Sequence, residues 1–319
     1  MAQVKIIENP SEIAAGTRGA SLGVGALKVA SLNVDSDYFG RYERFEVESE
    51  NDVLSEPTIF RTAKRIDALV NIYQKVSDIV SFVLKNGDFP IVLAGDHASA
   101  GGTIAGIKKA YPGKRLGIIW IDAHADLHTP FTTPSGNLHG MPLATALNVD
   151  NLKEQVNEPL PETIEFWGKL KNMAGIAPKI VAEDIVFIGL RDMEKPEENF
   201  IAENKIKVYD VEDLRKFGAF KIVAEIEEKF SQCDLVYVSF DVDSMDPDIV
   251  SRGTGTPAEN GITPEEALDL IEGFVSWEKT CCIEVVEINP VLDDKMNKMA
   301  ETTFEIIEKF TDTLENRLT

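Results

Sequence analysis

Five runs of β-branched and aliphatic residues recur along the chain, and each stops abruptly at polar groups. They are PIVLAGDH from Pro90, LGIIWIDAHAD from Leu116, DIVFIGLRD from Asp184, LVYVSFDVD from Leu235 and CCIEVVEINP from Cys281. Unbroken apolarity over so short a length fits a parallel strand covered on both faces. Between the runs the period lengthens. Ile66, Leu69, Val70, Tyr73, Val76, Ile79, Val80 and Val83 fall three or four apart, the stripe of one helix, and Gly87 and Pro90 follow as stop signals. Thr263-Pro264-Glu265-Glu266 offers an N-cap hydroxyl, a proline at the first helical position and a capping-box carboxylate, opening a helix to about Phe274. Lys298 to Leu318 is helical in pattern, and the weakly patterned stretch Asn148 to Pro178 reads as a surface connection with one helix. This alternation predicts a layered α/β fold. No repeat, low-complexity tract or linker divides the 319 residues, so a single domain, 1–319, is expected.

Charge narrows the choice of partner. Lys and Arg number 32 against 54 Asp and Glu, a formal net charge of −22 with no long acidic tail. Such a surface repels phosphate backbones and anionic membranes, which leaves nucleic acid and membrane as poor partners and a small cation or a metal as a better one. The opening MAQVKIIENPSEI lacks the apolar core of a signal peptide, and no apolar run approaches the roughly 20 residues that span a bilayer. A cytoplasmic protein is expected. Cys233, Cys281 and Cys282 lie in or beside strand-like runs without C-x-x-C spacing and read as buried, reduced thiols.

Only four histidines are present. Three fall within WIDAHADLHTPFTTPSGNLHG, from Trp120 to Gly140, and the fourth, His97, lies upstream in GDH. In open parallel sheets ligands collect outside the carboxyl ends of the strands. The five runs end in Asp96-His97, Asp122-x-His124-x-Asp126, Asp192, Asp241-x-Asp243 and Glu287. Any one of these alone reads as a solvated or helix-capping group; five on one sheet edge point to a site. Alternate residues of an extended segment share a face, which pairs Asp122 with His124 and Asp241 with Asp243, and admits Asp126 only while the segment stays extended. With His97 the group holds four carboxylates and two imidazoles, too much negative charge to stay ionised without cations. Mixed imidazole and carboxylate donors suit manganese, iron or cobalt better than the thiolate-rich sites of structural zinc. Six ligands suit two ions with shared carboxylates, an arrangement that activates water.

The segments GDHASAGGT, DAHADLHTPFTTPSGNLHG, GLRDMEKPEE, SFDVDSMDP, GTGTP and EINP, in that order across about 200 residues, resemble the arginase, or ureohydrolase, family. The resemblance implies a three-layer α/β/α sandwich around a mainly parallel eight-stranded sheet, and a homo-oligomer, trimer or hexamer. It implies two manganese ions per subunit, one held by His97, Asp122, Asp126 and Asp241, the other by Asp122, His124, Asp241 and Asp243. Glu287 would hold a guanidinium group, Asp126 would also accept a hydrogen bond from the activated water, and His139 would pass a proton to the departing amine.

Substrate recognition then falls to His128, Thr133, Ser135, Asn137, Glu194, Glu197 and Thr256. The hydroxyl and amide groups would read an α-carboxylate, and the two glutamates would face an α-ammonium. His128 stands where arginases usually carry asparagine and would donate to the carboxylate in its place; Pro134 and Glu194, the latter in place of aspartate, also depart from the common pattern. The implied reaction is hydrolysis of a guanidino compound, L-arginine to L-ornithine and urea, because agmatine lacks the α-groups that such a loop would bind. The alternatives are another ureohydrolase, acting on agmatine, guanidinobutyrate, guanidinopropionate or formiminoglutamate; a metal hydrolase of another amide or a phosphate ester, for which no cationic phosphate clamp is visible; and a silent metal-binding protein, which would not need His139 and Glu287.

Overall fold

The five apolar runs become the middle of one sheet. The structure, a computed structural model, describes residues 2–319. Its strands are β1 (Val4–Asn9), β2 (Glu43–Glu46), β3 (Phe89–Ala94), β4 (Leu116–Ile121), β5 (Ile185–Ile188), β6 (Lys207–Tyr209), β7 (Leu235–Asp241) and β8 (Thr280–Val286). They lie in the order β2-β1-β3-β8-β7-β4-β5-β6, and every pairing is parallel where a mainly parallel sheet was expected.

Side chains of the central strands alternate between the two faces. Val92, Ile118 and Trp120 join the core under the helices Ile66–Lys85, Ser99–Ala110 and Pro161–Lys171. Ile91, Leu93, Ile119 and Ile121 join the core under Gly23–Asn33, Pro264–Val275 and Lys298–Leu318. Two apolar faces and two helical layers make the three-layer sandwich.

Strands β1, β2 and β6 were not legible as apolar runs. β2 is ERFE and β6 is KVY, both short strands at the sheet's edges, where charge is the usual guard against unwanted pairing. β1, VKIIEN, is buried throughout yet carries Lys5 and Glu8, which interrupt its apolar pattern. Ion pairs to Glu43 at 2.8 Å and to Lys28 at 2.6 Å make their burial tolerable.

The helical expectations hold, with one exception. Thr263 Oγ1 accepts from the Glu266 amide at 3.1 Å and Glu266 Oε2 accepts from the Thr263 amide at 2.8 Å, closing the capping box. The helix headed by Ile66 ends at Lys85 and Gly87 turns the chain with φ +80°, but Pro90 is the second residue of β3. It fits there because the ladder to β8 begins only at Ile91. The stretch from 148 to 178 holds one α-helix, Pro161–Lys171, among short turns. The three cysteines are free and buried. Among the described residues no helix is long and apolar enough to cross a membrane.

One loop matters for the site. Residues 129–140 fold back against the start of the Ile66 helix, where the Lys64 amide donates to the Gly136 carbonyl at 2.8 Å. Gly136 has φ +75°, and a Cβ there would lie 2.0 Å from the Arg61 carbonyl oxygen. Gly136→Ala should therefore lower unfolding free energy by at least about 1–2 kcal/mol from the left-handed backbone alone, more with the clash. Chemical denaturation reads this directly, and an unchanged midpoint would show that the loop relaxes without penalty.

Candidate active site

Strand β4 stops at Ile121, so the residues after it do not converge by extended alternation as expected. Asp122 instead turns its carboxylate onto its neighbours: Oδ1 accepts from the His124 amide at 2.7 Å and Oδ2 from Trp120 Nε1 at 2.9 Å. At the end of β7 the same device recurs, with Asp241 Oδ1 accepting from the Asp243 amide at 2.8 Å. A short side chain bonding the backbone two residues on is the Asx turn. The pairs predicted from alternation are thus made by turns. Asp126 departs further, since its φ of +52° bends the chain back and carries its carboxylate toward His97.

His97 is held on three sides. Its amide donates to Glu287 Oε1 at 2.9 Å, its Nε2 meets Ser239 Oγ at 2.8 Å, and its ring stacks on Trp120 with centroids 4.1 Å apart and planes 5° from parallel. These contacts leave Nδ1 facing Asp122 Oδ2 at 3.0 Å and Asp126 Oδ2 and Asp241 Oδ2 each at 3.1 Å. Nδ1 is buried and makes no hydrogen bond with any of them. One step away, His124 Nδ1 lies 3.0 Å from Asp243 Oδ2 and 3.4 Å from Asp122 Oδ1. Two groups of possible metal ligands therefore adjoin and share Asp122.

Electrostatics point the same way. Burial, reinforced by the neighbouring Asp122 carboxylate, pushes Asp126, Asp241 and Asp243 above the usual carboxylate range. For Asp122, burial is outweighed by the adjacent His124 and His97 imidazoles, which hold it low. Four buried carboxylates cannot all stay ionised beside one another without compensating charge. The orphaned His97 nitrogen among carboxylate oxygens fits a divalent cation in the first group, the His124 group offers a second cation the same kinds of donor, and both sets are nitrogen and oxygen without thiolate.

These groups floor a cavity of about 370 Å³. Its walls include His128, Thr133, Ser135, Asn137, His139, Glu194, Glu197 and Thr256 together with His97, His124, Asp126, Asp241 and Asp243, so most of the residues anticipated from sequence are brought together. Asp122 and Glu287 stand behind the lining, both almost fully buried. Thr256 Oγ1 donates to Asp243 Oδ2 at 3.0 Å.

Two residues sit differently from their anticipated roles. Glu287 Oε1 is occupied by the His97 amide and by His139 Nδ1 at 3.1 Å, leaving only Oε2 for a guanidinium group. Burial disfavours charge on His139, but the adjacent Glu287 carboxylate prevails and lifts it to about 9. His128 is also engaged at both nitrogens, with Nδ1 3.1 Å from Thr132 Oγ1 and Nε2 3.0 Å from Glu194 Oε2 and 3.4 Å from Glu197 Oε2. It faces the acidic wall, and not a substrate carboxylate as the asparagine substitution suggested; the glutamate at 194, a methylene longer than aspartate, reaches it. That hydrogen bond from His128 draws Glu194 down to about 2, whereas burial pushes Glu197 up to about 7.

Sequence reasoning passed over two supporting residues, Trp120 and Ser239, and noted Asp96 only as a strand ending. Trp120 and Ser239 lie inside apolar runs, two positions before Asp122 and Asp241 and hence on the same face; that i−2 relation was the available signal. Asp96 fastens the amides of Ala14 and Ala98, and burial followed by the charge of Glu287 raises it to about 7. Asp192, noted only as a strand ending, lines the cavity with a carboxylate oxygen 3.7 Å from His124 Nε2.

The sequence model of the Arginase family matches residues 2–311. The arginases of Bacillus subtilis (strain 168) and Brevibacillus brevis are 33% and 34% identical over 308 and 295 residues, covering 96% and 91% of this chain and the same shares of theirs. The solved arginase of Bacillus caldovelox superposes with a TM-score of 0.81 at 31% identity, over 97% of this chain and 98% of that one. The chain therefore belongs to the arginase family and is a hydrolase of guanidino compounds.

Proposed function

We propose that the protein hydrolyses L-arginine to L-ornithine and urea with two manganese ions per chain. The observation that carries this reading is the cavity's lining: two adjoining imidazole and carboxylate groups, the hydroxyl and amide side chains of Thr133, Ser135 and Asn137, and the acids Glu194 and Glu197. A guanidinium carbon would rest over the floor, an α-carboxylate against Thr133, Ser135 and Asn137, and an α-ammonium toward Glu194 and Glu197, with Thr256 at the cavity's edge. The similarity to bacterial arginases supports the same substrate. The three unpaired cysteines agree with a reducing compartment, so the cytoplasm is the proposed location.

One ion would be held by His97, Asp122, Asp126 and Asp241 and the other by Asp122, His124, Asp241 and Asp243. The ions, when bound, supply the acidity that makes a water nucleophilic near neutral pH. Asp126, which lines the cavity, would accept a hydrogen bond from that water and orient it. Glu287 Oε2 would receive a guanidinium N–H by a charge-assisted bond. Addition of water to the guanidinium carbon gives a tetrahedral species whose C–N bond to the alkylamine must break, with the electron pair and a proton passing to that nitrogen. His139 can provide the proton: Glu287 keeps its imidazole protonated at neutral pH, and the ring lines the cavity.

In a urea-release assay across arginine, agmatine, guanidinobutyrate, guanidinopropionate and formiminoglutamate, arginine should have the highest kcat/KM; agmatine at parity would overturn the substrate assignment. After manganese loading, metal analysis should approach two ions per chain in both the wild type and His139→Ala, while the variant's turnover falls by about a hundredfold or more. Loss of an ion from His139→Ala would instead make His139 a ligand. Replacing Glu287 by Gln removes the largest influence that raises His139 and leaves only Asp126 and Asp96 to oppose burial, so the imidazole pKa should fall from about 9. An NMR titration of the ring protons measures this shift, and an unmoved pKa would assign the protonation to another group.

A further inference from the structure

We propose that Lys64, outside the cavity lining, sets the polarity of the wall that reads the substrate's carboxylate and is thereby a specificity-determining positioning residue. The inference rests on the arginine reading above and adds a residue to it. Lys64 Nζ donates to Asn137 Oδ1 at 2.9 Å, and no carboxylate lies within ion-pair distance of it among the described residues. An ammonium group can only donate. The amide oxygen of Asn137 must therefore face Lys64, and its NH₂ group, which makes no hydrogen bond among the described residues, is left for the cavity that Asn137 lines.

The two hydroxyls beside it are biased the same way. Thr133 Oγ1 accepts from the amides of Ser135 at 3.3 Å and Gly136 at 2.9 Å, and Ser135 Oγ accepts from the Asn137 amide at 3.1 Å. The loop's own backbone takes up both acceptor positions of Thr133 and one of the two of Ser135, and the two hydroxyl protons remain free. Three side chains of mixed donor and acceptor character thus become a wall of donors, matched to an anionic group. The hydroxyl bias is local to the loop, whereas the amide bias depends on Lys64 alone. Lys64 also holds the loop through its backbone, donating its amide to Gly136, but that bond survives any side-chain replacement. His128 cannot take over the role, because both its nitrogens are engaged with Thr132 and the acidic wall. The side-chain ammonium further supplies a positive charge behind the donors, in a chain of net charge −22.

The test compares ligands that differ in the carboxylate. Binding of L-ornithine and of 1,4-diaminobutane, which lacks it, is measured calorimetrically on the metal-loaded wild type and on Lys64→Met, Lys64→Arg and Asn137→Ala, alongside KM and kcat for arginine. Lys64→Met should cut the ratio of ornithine affinity to diaminobutane affinity by about tenfold and raise the KM for arginine more than it lowers kcat. Lys64→Arg, which keeps a donor and a charge, should restore most of that ratio. In the Asn137→Ala background the Lys64→Met effect on the ratio should shrink, since the amide through which it acts is gone. A merely structural lysine would lower both affinities alike, and its removal would be read in thermal stability. If the wild type favours ornithine and Lys64→Met keeps that preference, the Lys64 assignment falls while the arginine reading stands. If the wild type itself binds the two ligands equally, both fall together.

Discussion

Mutual repulsion among Asp122, Asp126, Asp241 and Asp243 is the constraint around which the rest of the molecule is arranged. Two like charges 4 Å apart in a partly polarisable interior repel by about 4 kcal/mol. Several such pairs would rival the whole stability of a domain, about 5–15 kcal/mol. The fold meets the problem with two devices. Trp120 and the backbone amides of His124 and Asp243 donate to the carboxylates. His97 and His124 bring nitrogen among the oxygens. The remaining excess of negative charge is what a hydrolase of this family turns to use, because the cations that relieve it are also the source of its chemistry.

The buried frame behind the ligands explains how such a site stays in place. Glu287 sits at φ +68°, a conformation that favours glycine, and one of its oxygens gathers both the His97 amide and the His139 ring. One acid thereby couples the orientation of His97 on the β3 side to that of His139 in the 129–140 loop. Backbone strain at a residue with this many partners is tolerable, since each contact opposes relaxation.

Much of this was legible in the sequence, for reasons that can be named. β3, β4, β5, β7 and β8 are buried on both faces, so their apolarity is continuous, and their polar endings mark the site's edge. β1 escaped because Lys5, paired to Glu43 on the next strand, and Glu8, paired to Lys28 on a covering helix, break its pattern, and β2 and β6 because edge strands carry charge by design. The pairing of Asp122 with His124 was anticipated on the wrong ground: alternation and the Asx turn select the same residues, and only coordinates separate them. The partners of His128 and the oxygen of Glu287 that faces His139 depend on residues far away in sequence, Glu194 and His97 among them, and no local pattern encodes those choices.

The strand order has a further consequence for how the protein comes into being. β2, β1 and β3 form one block and β7, β4, β5 and β6 another, and β8 alone joins them, pairing with β3 on one side and β7 on the other. His97 follows the first block, whereas Asp122 follows β4 and Asp241 ends β7 in the second. β8 is the last strand along the chain, so a ribosome would deliver every other strand before the two halves could be bridged. Until then the half-sites would stay apart, with their like charges separated and their capacity for cations low. Assembly of the two candidate metal-binding groups would thus be a late event in maturation, completed by insertion of the keystone strand, and a nascent chain stalled before Thr280 would carry His97, Asp122, His124, Asp126, Asp241 and Asp243 without bringing them together.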